Sequence, residues 1–89
     1  MVHEIKIGTG FADAVESGEK TFEIRRNDRG YQRGDTVVFQ VIDSEREPVE
    51  HPLNGREFLI TYLLHGLGLR DGFCVFGIQP VDPPRCCED

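Results

Sequence analysis

The sequence predicts a single α+β domain, mainly β with one short helix, in which about five strands close into a small mixed β-barrel. Three observations lead there. Eighty-nine residues with 38% hydrophobic side chains and six phenylalanines suffice for one core and not for two. Five segments carry the period-two pattern of strands, and one short segment carries a helical period. With so little apolar helix, a parallel sheet would be left bare on its faces, whereas a small barrel buries its own interior. The domain is expected over residues 1–81, with a loose tail at 82–89.

The elements follow in order. "HEIKI" at 3–7 alternates and predicts a strand with Ile5 and Ile7 facing inward. "GFADAVESG" changes period, and Phe11, Ala14 and Val15 predict two helical turns ending at Gly18 as C-cap. So short a helix persists only by packing its apolar stripe on the sheet. "KTFEIRR" at 20–26 alternates again, Phe22 and Ile24 on one face, with Glu23 and Arg25 forming an outward row on the other. "NDRGYQRGD" at 27–35 reads as turns, Asp28 capping one and Asp35 fixing the start of the next strand. "TVVFQVID" at 36–43 is the strongest strand, apolar on both faces. Residues 43–56, rich in proline and acid, predict a long solvated connection. "EFLITYLLHG" at 57–66 favours strand through Ile60, Thr61 and Tyr62, and "DGFCVFGIQPV" at 71–81 predicts the last strand, ended by Pro80.

A net charge of −6 argues against a protein that coats nucleic acid nonspecifically, because such binding relies on many lysine and arginine contacts to phosphate. The start, "MVHEIKI", lacks the apolar stretch of a secretion signal, and no run approaches the roughly 18 apolar residues of a membrane helix. A cytoplasmic monomer without membrane association is the expectation. Cys74 reads as a small core residue, and Cys86 and Cys87 as adjacent thiols in a polar tail. Neither they nor the dispersed His3, His51 and His65 have metal-ligand spacing, so no metal and no cofactor are expected. Walker, Rossmann and serine-elbow motifs are absent from the sequence.

The positive charge is unevenly placed. Between residues 20 and 33, Lys20, Arg25, Arg26, Arg29 and Arg33 face only Glu23 and Asp28, a local surplus of three. On a convex sheet face such neighbours are ordinary surface pairs worth little. At the lip of a concavity they become a ligand site: Arg25 as a fork for a phosphate or base edge, Lys20 as a point charge, and Glu23 holding both or accepting from a base amino group. Arg26, Asp28 and Tyr31 would stand around the rim. Tyr31 and Tyr62 offer stacking surfaces, worth about 1–3 kcal/mol per base where used. His3, the short helix and the 27–35 loop are expected around this opening. The predicted partner is RNA or a nucleotide-like small ligand. A lysine beside a carboxylate can also serve as base or nucleophile, with Lys20, Glu23 and Tyr62 as the hydrolase set. A structural or protein-interaction role is the third reading.

"HEIKI…FADAVESGEKTFEIRRNDRGYQRGD" resembles a DUF3850-like family of small bacterial and phage proteins within the ASCH and PUA-like superfamily. The likeness continues more weakly through "TVVF" and "DGFCVFGI". "GEKTFEIR", with Gly18, Lys20, Glu23 and Arg25, is similar to the superfamily's glycine, lysine, glutamate, arginine signature. The resemblance implies a PUA-like barrel with a helix near its mouth and a cleft for RNA or a nucleotide-like ligand. Some relatives in the superfamily are amidohydrolases acting on acetylated cytidine through lysine, threonine and glutamate. Here Lys20 matches the lysine, Glu23 stands in the threonine position, Thr21, next to Lys20, points to the wrong side of a regular strand to replace it, and Glu57 and Asp71 are the substitutes for a later glutamate.

Overall fold

The computed structural model of the chain describes residues 1–81; the expected tail, with Cys86 and Cys87, lies outside the described residues. The elements are β1 (Val2–Gly8), α1 (Thr9–Ser17), β2 (Phe22–Arg26), β3 (Thr36–Ile42), β4 (Glu57–His65) and β5 (Phe73–Pro80). They form one curled, half-barrel sheet in the order β1-β3-β4-β5-β2, with one short helix. β1 runs parallel to β3, and the other pairings are antiparallel. The alternation read from the sequence supplies the core: Ile5 and Ile7, Val37, Phe39 and Val41, Phe58 and Ile60, Phe76 and Ile78 all point inward. Phe39 and Phe58 meet edge to face at 5.5 Å.

Gly18 takes the left-handed conformation, φ 88°, and returns its N–H to the Val15 carbonyl at 3.1 Å, which ends α1. The helix buries Ala12 and Val15 against β1 and β3. Phe11, expected in that stripe, is instead 64% exposed. At about 100° of helix rotation per residue, placing Ala12 and Val15 on the sheet turns Phe11 sideways.

The long connection is less solvated than its composition suggests. Leu53 is fully buried, and Asn54 accepts the Val41 N–H at 2.7 Å while donating to the Val49 carbonyl at 2.8 Å. His51 takes the Leu53 N–H on Nδ1, leaving Nε2 to donate to Asp13 on α1 at 2.7 Å. Opposite, a bulge between Ile60 and Leu63 turns β4, and Gly77 of β5 lies against it: a Cβ there would sit 2.6 Å from Thr61 Oγ1.

The curl brings the two sheet edges, β1 and β2, towards each other without joining their backbones. Two arginines span the gap: Arg25 donates to the Lys6 carbonyl at 2.5 Å and Arg29 to the Glu4 carbonyl at 2.8 Å. Unpaired edges normally demand protection, and here cationic side chains supply it.

Candidate functional site: a cationic cleft at the open seam

Above this seam lies a cleft of about 590 Å³. β2 provides the largest share of its wall. The face that β2 turns inward is opposite to the one its composition suggests: Glu23 is 3% exposed, while Phe22 and Ile24 are about half exposed. Period two fixes that Glu23 and Arg25 share a face and not which face turns inward. The buried carboxylate is tolerated because both its oxygens are satisfied. Lys20 Nζ donates to Oε1 at 2.5 Å, and Arg25 donates to Oε2 through Nε at 2.8 Å and its terminal nitrogen at 2.6 Å. Lys20 also lies over two rings, 4.7 Å from the centre of Phe11 and 5.6 Å from that of Phe22.

Across the seam stands Lys6 of β1, and the far rim is formed by Arg46 in the loop after β3. Arg46 holds φ at 66°, a left-handed conformation that is rare for a residue with a side chain. Asp43 stabilises it, its Oδ1 accepting the N–H groups of Glu45 and Glu47 and its carbonyl the N–H of Arg46. At the other end Arg26 stacks on Phe73 with 4.9 Å to the ring centre. Among the described residues, five cationic side chains and one carboxylate therefore line the cleft, a surplus of four in a chain of net charge −6.

Of the residues singled out from the sequence, Lys20, Glu23, Arg25 and Arg26 line this cleft, and Asp28 and Tyr31 do not. Asp28 is exposed in the turn after β2. Tyr31, expected at the rim, is 4% exposed in the core, its ring 4.7 Å from His3 and 4.9 Å from Phe76. Burial pushes its hydroxyl above the ordinary tyrosine range, partly opposed by Arg29 and Arg25. His3, also expected at the opening, is buried beside Tyr31, with Nε2 2.9 Å from Asp35 Oδ2. Tyr62 is exposed on β4 beneath the Arg33 guanidinium at 5.4 Å, and neither it nor Glu57 nor Asp71 lines the cleft. Sequence reasoning missed Lys6, Phe11, Phe22, Arg46 and Phe73 as wall residues. The polar face of "HEIKI" and the apolar face of "FEI" carried a signal for two of them, Lys6 and Phe22.

With both oxygens of Glu23 engaged, three of the carboxylate's roughly four acceptor sites are taken by Lys20 and Arg25, and its chief effect is to position those two cations. The arrangement suits an anion lying against aromatic surface. Among the described residues no cluster of three histidine, cysteine or carboxylate groups gathers as for a metal, and no helix is long and apolar enough to cross a membrane.

An uncharacterised 12.9 kDa protein in the GpA 3′ region of Escherichia phage P2 is 43% identical over 37 residues, which is 42% of this chain and 34% of that protein. The chain thus aligns with about a third of that relative's length. The family described as "Domain of unknown function (DUF3850)" matches residues 2–78, every described strand except the end of β5 included, and the chain belongs to it.

Proposed function

We propose that the chain is a small binding module of the PUA-like class that holds RNA or a nucleotide-like ligand in the cleft between β1 and β2. The observation that carries this reading is the surplus of four positive charges set beside the exposed rings of Phe11 and Phe22, in a protein whose overall charge is −6. Phosphate seeks the cations, and a base finds a flat apolar partner in Phe11, Phe22 or Phe73. Titration of structured RNAs, single strands and nucleotides at low salt tests it. Saturable binding that Arg25→Ala weakens supports the reading, and a folded sample that binds none of them defeats it.

A second reading, hydrolysis of an acylated nucleoside, draws support from the Lys20 ammonium held beside a carboxylate in an accessible cleft. It needs a general base, an oxyanion donor and a proton source together. Glu23 is engaged by two cations and Tyr62 stands elsewhere, so binding has the stronger support. Lys20-dependent turnover of acetylated cytidine would reverse that order.

A further inference from the structure

The cations of the cleft fall into two groups. Lys20 and Arg25 are bonded to Glu23. Lys6, Arg26 and Arg46 have no ion pair among the described residues, and they come from three different elements. Their heights along the seam differ. Arg25 reaches the Lys6 carbonyl, which sets Lys6 at mid-seam. Ile42 is the partner of Gly8, so the loop carrying Arg46 begins beyond the Gly8 end, and Arg26 closes the opposite end. From Phe22 to Arg26, β2 alone covers roughly 13 Å at strand rise. A single phosphate bonds only to donors within about 3 Å of its oxygens, so to share one the three head groups would have to leave their separate places, Arg26 its seat on Phe73.

The aromatic rings are likewise distributed. Phe11 and Phe22 flank Lys20 at one end, and Phe73 lies under Arg26 at the other. Backbone donors add to the track. Ile78 N–H bonds to Thr21 O, and Asn27 N–H to Gly72 O, so the odd-numbered residues of β2 face β5. By strand alternation the N–H groups of Phe22, Ile24 and Arg26 face the open seam.

We propose that the cleft takes an extended single-stranded nucleic acid, about two to three nucleotides long, rather than a free mononucleotide. The proposal rests on the binding reading above and deepens it. Lys6, Arg26 and Arg46 contact successive phosphates, the two aromatic stations stack bases, and Glu23 acts as a positioning residue through Lys20 and Arg25.

The test is a length series of oligouridylate and oligoadenylate, one to five nucleotides, as RNA and as DNA, competing against a labelled strand in fluorescence anisotropy. Affinity is expected to rise from one to three nucleotides and then level off. Two or three phosphate contacts predict a salt slope of about −1.4 to −2.1, a loss of about 7- to 18-fold between 50 and 200 mM salt. Lys6→Ala, Arg26→Ala and Arg46→Gly should each weaken the trinucleotide and flatten the slope by about 0.7. Arg46→Gly is the most telling, because glycine accepts φ 66° freely and the loop keeps its shape. Equal affinity for RNA and DNA supports readout of phosphates and base faces; a preference for RNA supports the same track with a 2′-hydroxyl contact added. Mononucleotides competing as well as trinucleotides, or unchanged slopes in all three variants, overturn the proposal and leave a mononucleotide pocket. Binding of no probe defeats the binding reading itself.

Discussion

Replacing Glu23 by glutamine should cost stability much more than ligand affinity. Its carboxylate, 3% exposed, accepts three hydrogen bonds from two cations. Removing one partner of a fully buried ion pair costs about 3–5 kcal/mol, because the other charge is left without compensation. The cations here are not fully buried: the side chains of Lys20 and Arg25 keep 15% and 26% of their exposure. Arg25 also retains the Lys6 carbonyl, and the glutamine oxygen still accepts one bond. The cost should therefore fall below the buried-pair range, to about 2–3 kcal/mol. For a domain of this size each kcal/mol moves Tm by about 4–8 °C, so a drop of about 8–24 °C is expected in thermal unfolding followed by circular dichroism. Anisotropy titration well below the lowered Tm should show strand binding retained, since among the described residues the variant removes the one negative charge lining the cleft. An unchanged Tm would refute the weight given to the Lys20–Glu23–Arg25 unit. Lost binding in a variant that is still folded would show that the ligand depends on Glu23, by direct contact or through the placement of Lys20 and Arg25.

Asn54→Ala deprives the buried Val41 N–H of its acceptor, and a cost of about 1–3 kcal/mol should lower the denaturant midpoint with little change in m. Gly77→Ala places a Cβ 2.6 Å from Thr61 Oγ1, so a loss of about 1–3 kcal/mol is expected, and the same change in a Thr61→Ala background should cost less; equal losses in both backgrounds would remove the clash as its cause. Asp35 is held below the ordinary carboxylate range first by its hydrogen bond with His3, then by the N-terminal amine and the Gln32 N–H, against an opposing contribution from burial. A depressed folded-state pKa gives stability that is complete above the unfolded value of about 3.9 and is lost as pH falls through the folded value. Asp35→Asn should therefore be less stable at neutral pH, with the gap to the parent closing on acidification below about pH 4 in urea unfolding; a gap independent of pH would contradict the assignment.

The strands were legible because their interior residues are bulky and regularly spaced. Val37, Phe39 and Val41 read as one buried row, and Cys74, Phe76 and Ile78 as another. The facing of β2 was not legible in the same way. "FEIRR" alternates equally well with phenylalanine and isoleucine inward or with glutamate inward, and the ordinary preference for burying apolar groups selects the wrong face. What reverses it lies three residues before Glu23 and two after: Lys20 and Arg25 neutralise the carboxylate once the strand sits at the edge of the sheet. Tyr31 escaped for a related reason. A tyrosine among glycines and arginines reads as a surface ring, but Asn27 accepts its backbone N–H and turns the loop so that the ring stacks between His3 and Phe76. Arg46 is close to the cleft only through the parallel pairing of β1 with β3, a long-range fact that no local pattern encodes.

The uneven charge of the chain gains a physical meaning from this geometry. Concentrating four surplus positive charges in the cleft leaves the remaining surface more negative than the net charge of −6 indicates. At physiological ionic strength charges act over about 8 Å, so a polyanion feels attraction at the seam and repulsion from the acidic surface beyond it. A long strand gains nothing from residues outside the track, and at low salt those residues are pushed away. The levelling of affinity beyond three nucleotides is then a consequence of the acidic body as much as of the length of β2. An overall negative charge and a nucleic-acid site are compatible because the first restricts the second to the span between Arg46 and Arg26.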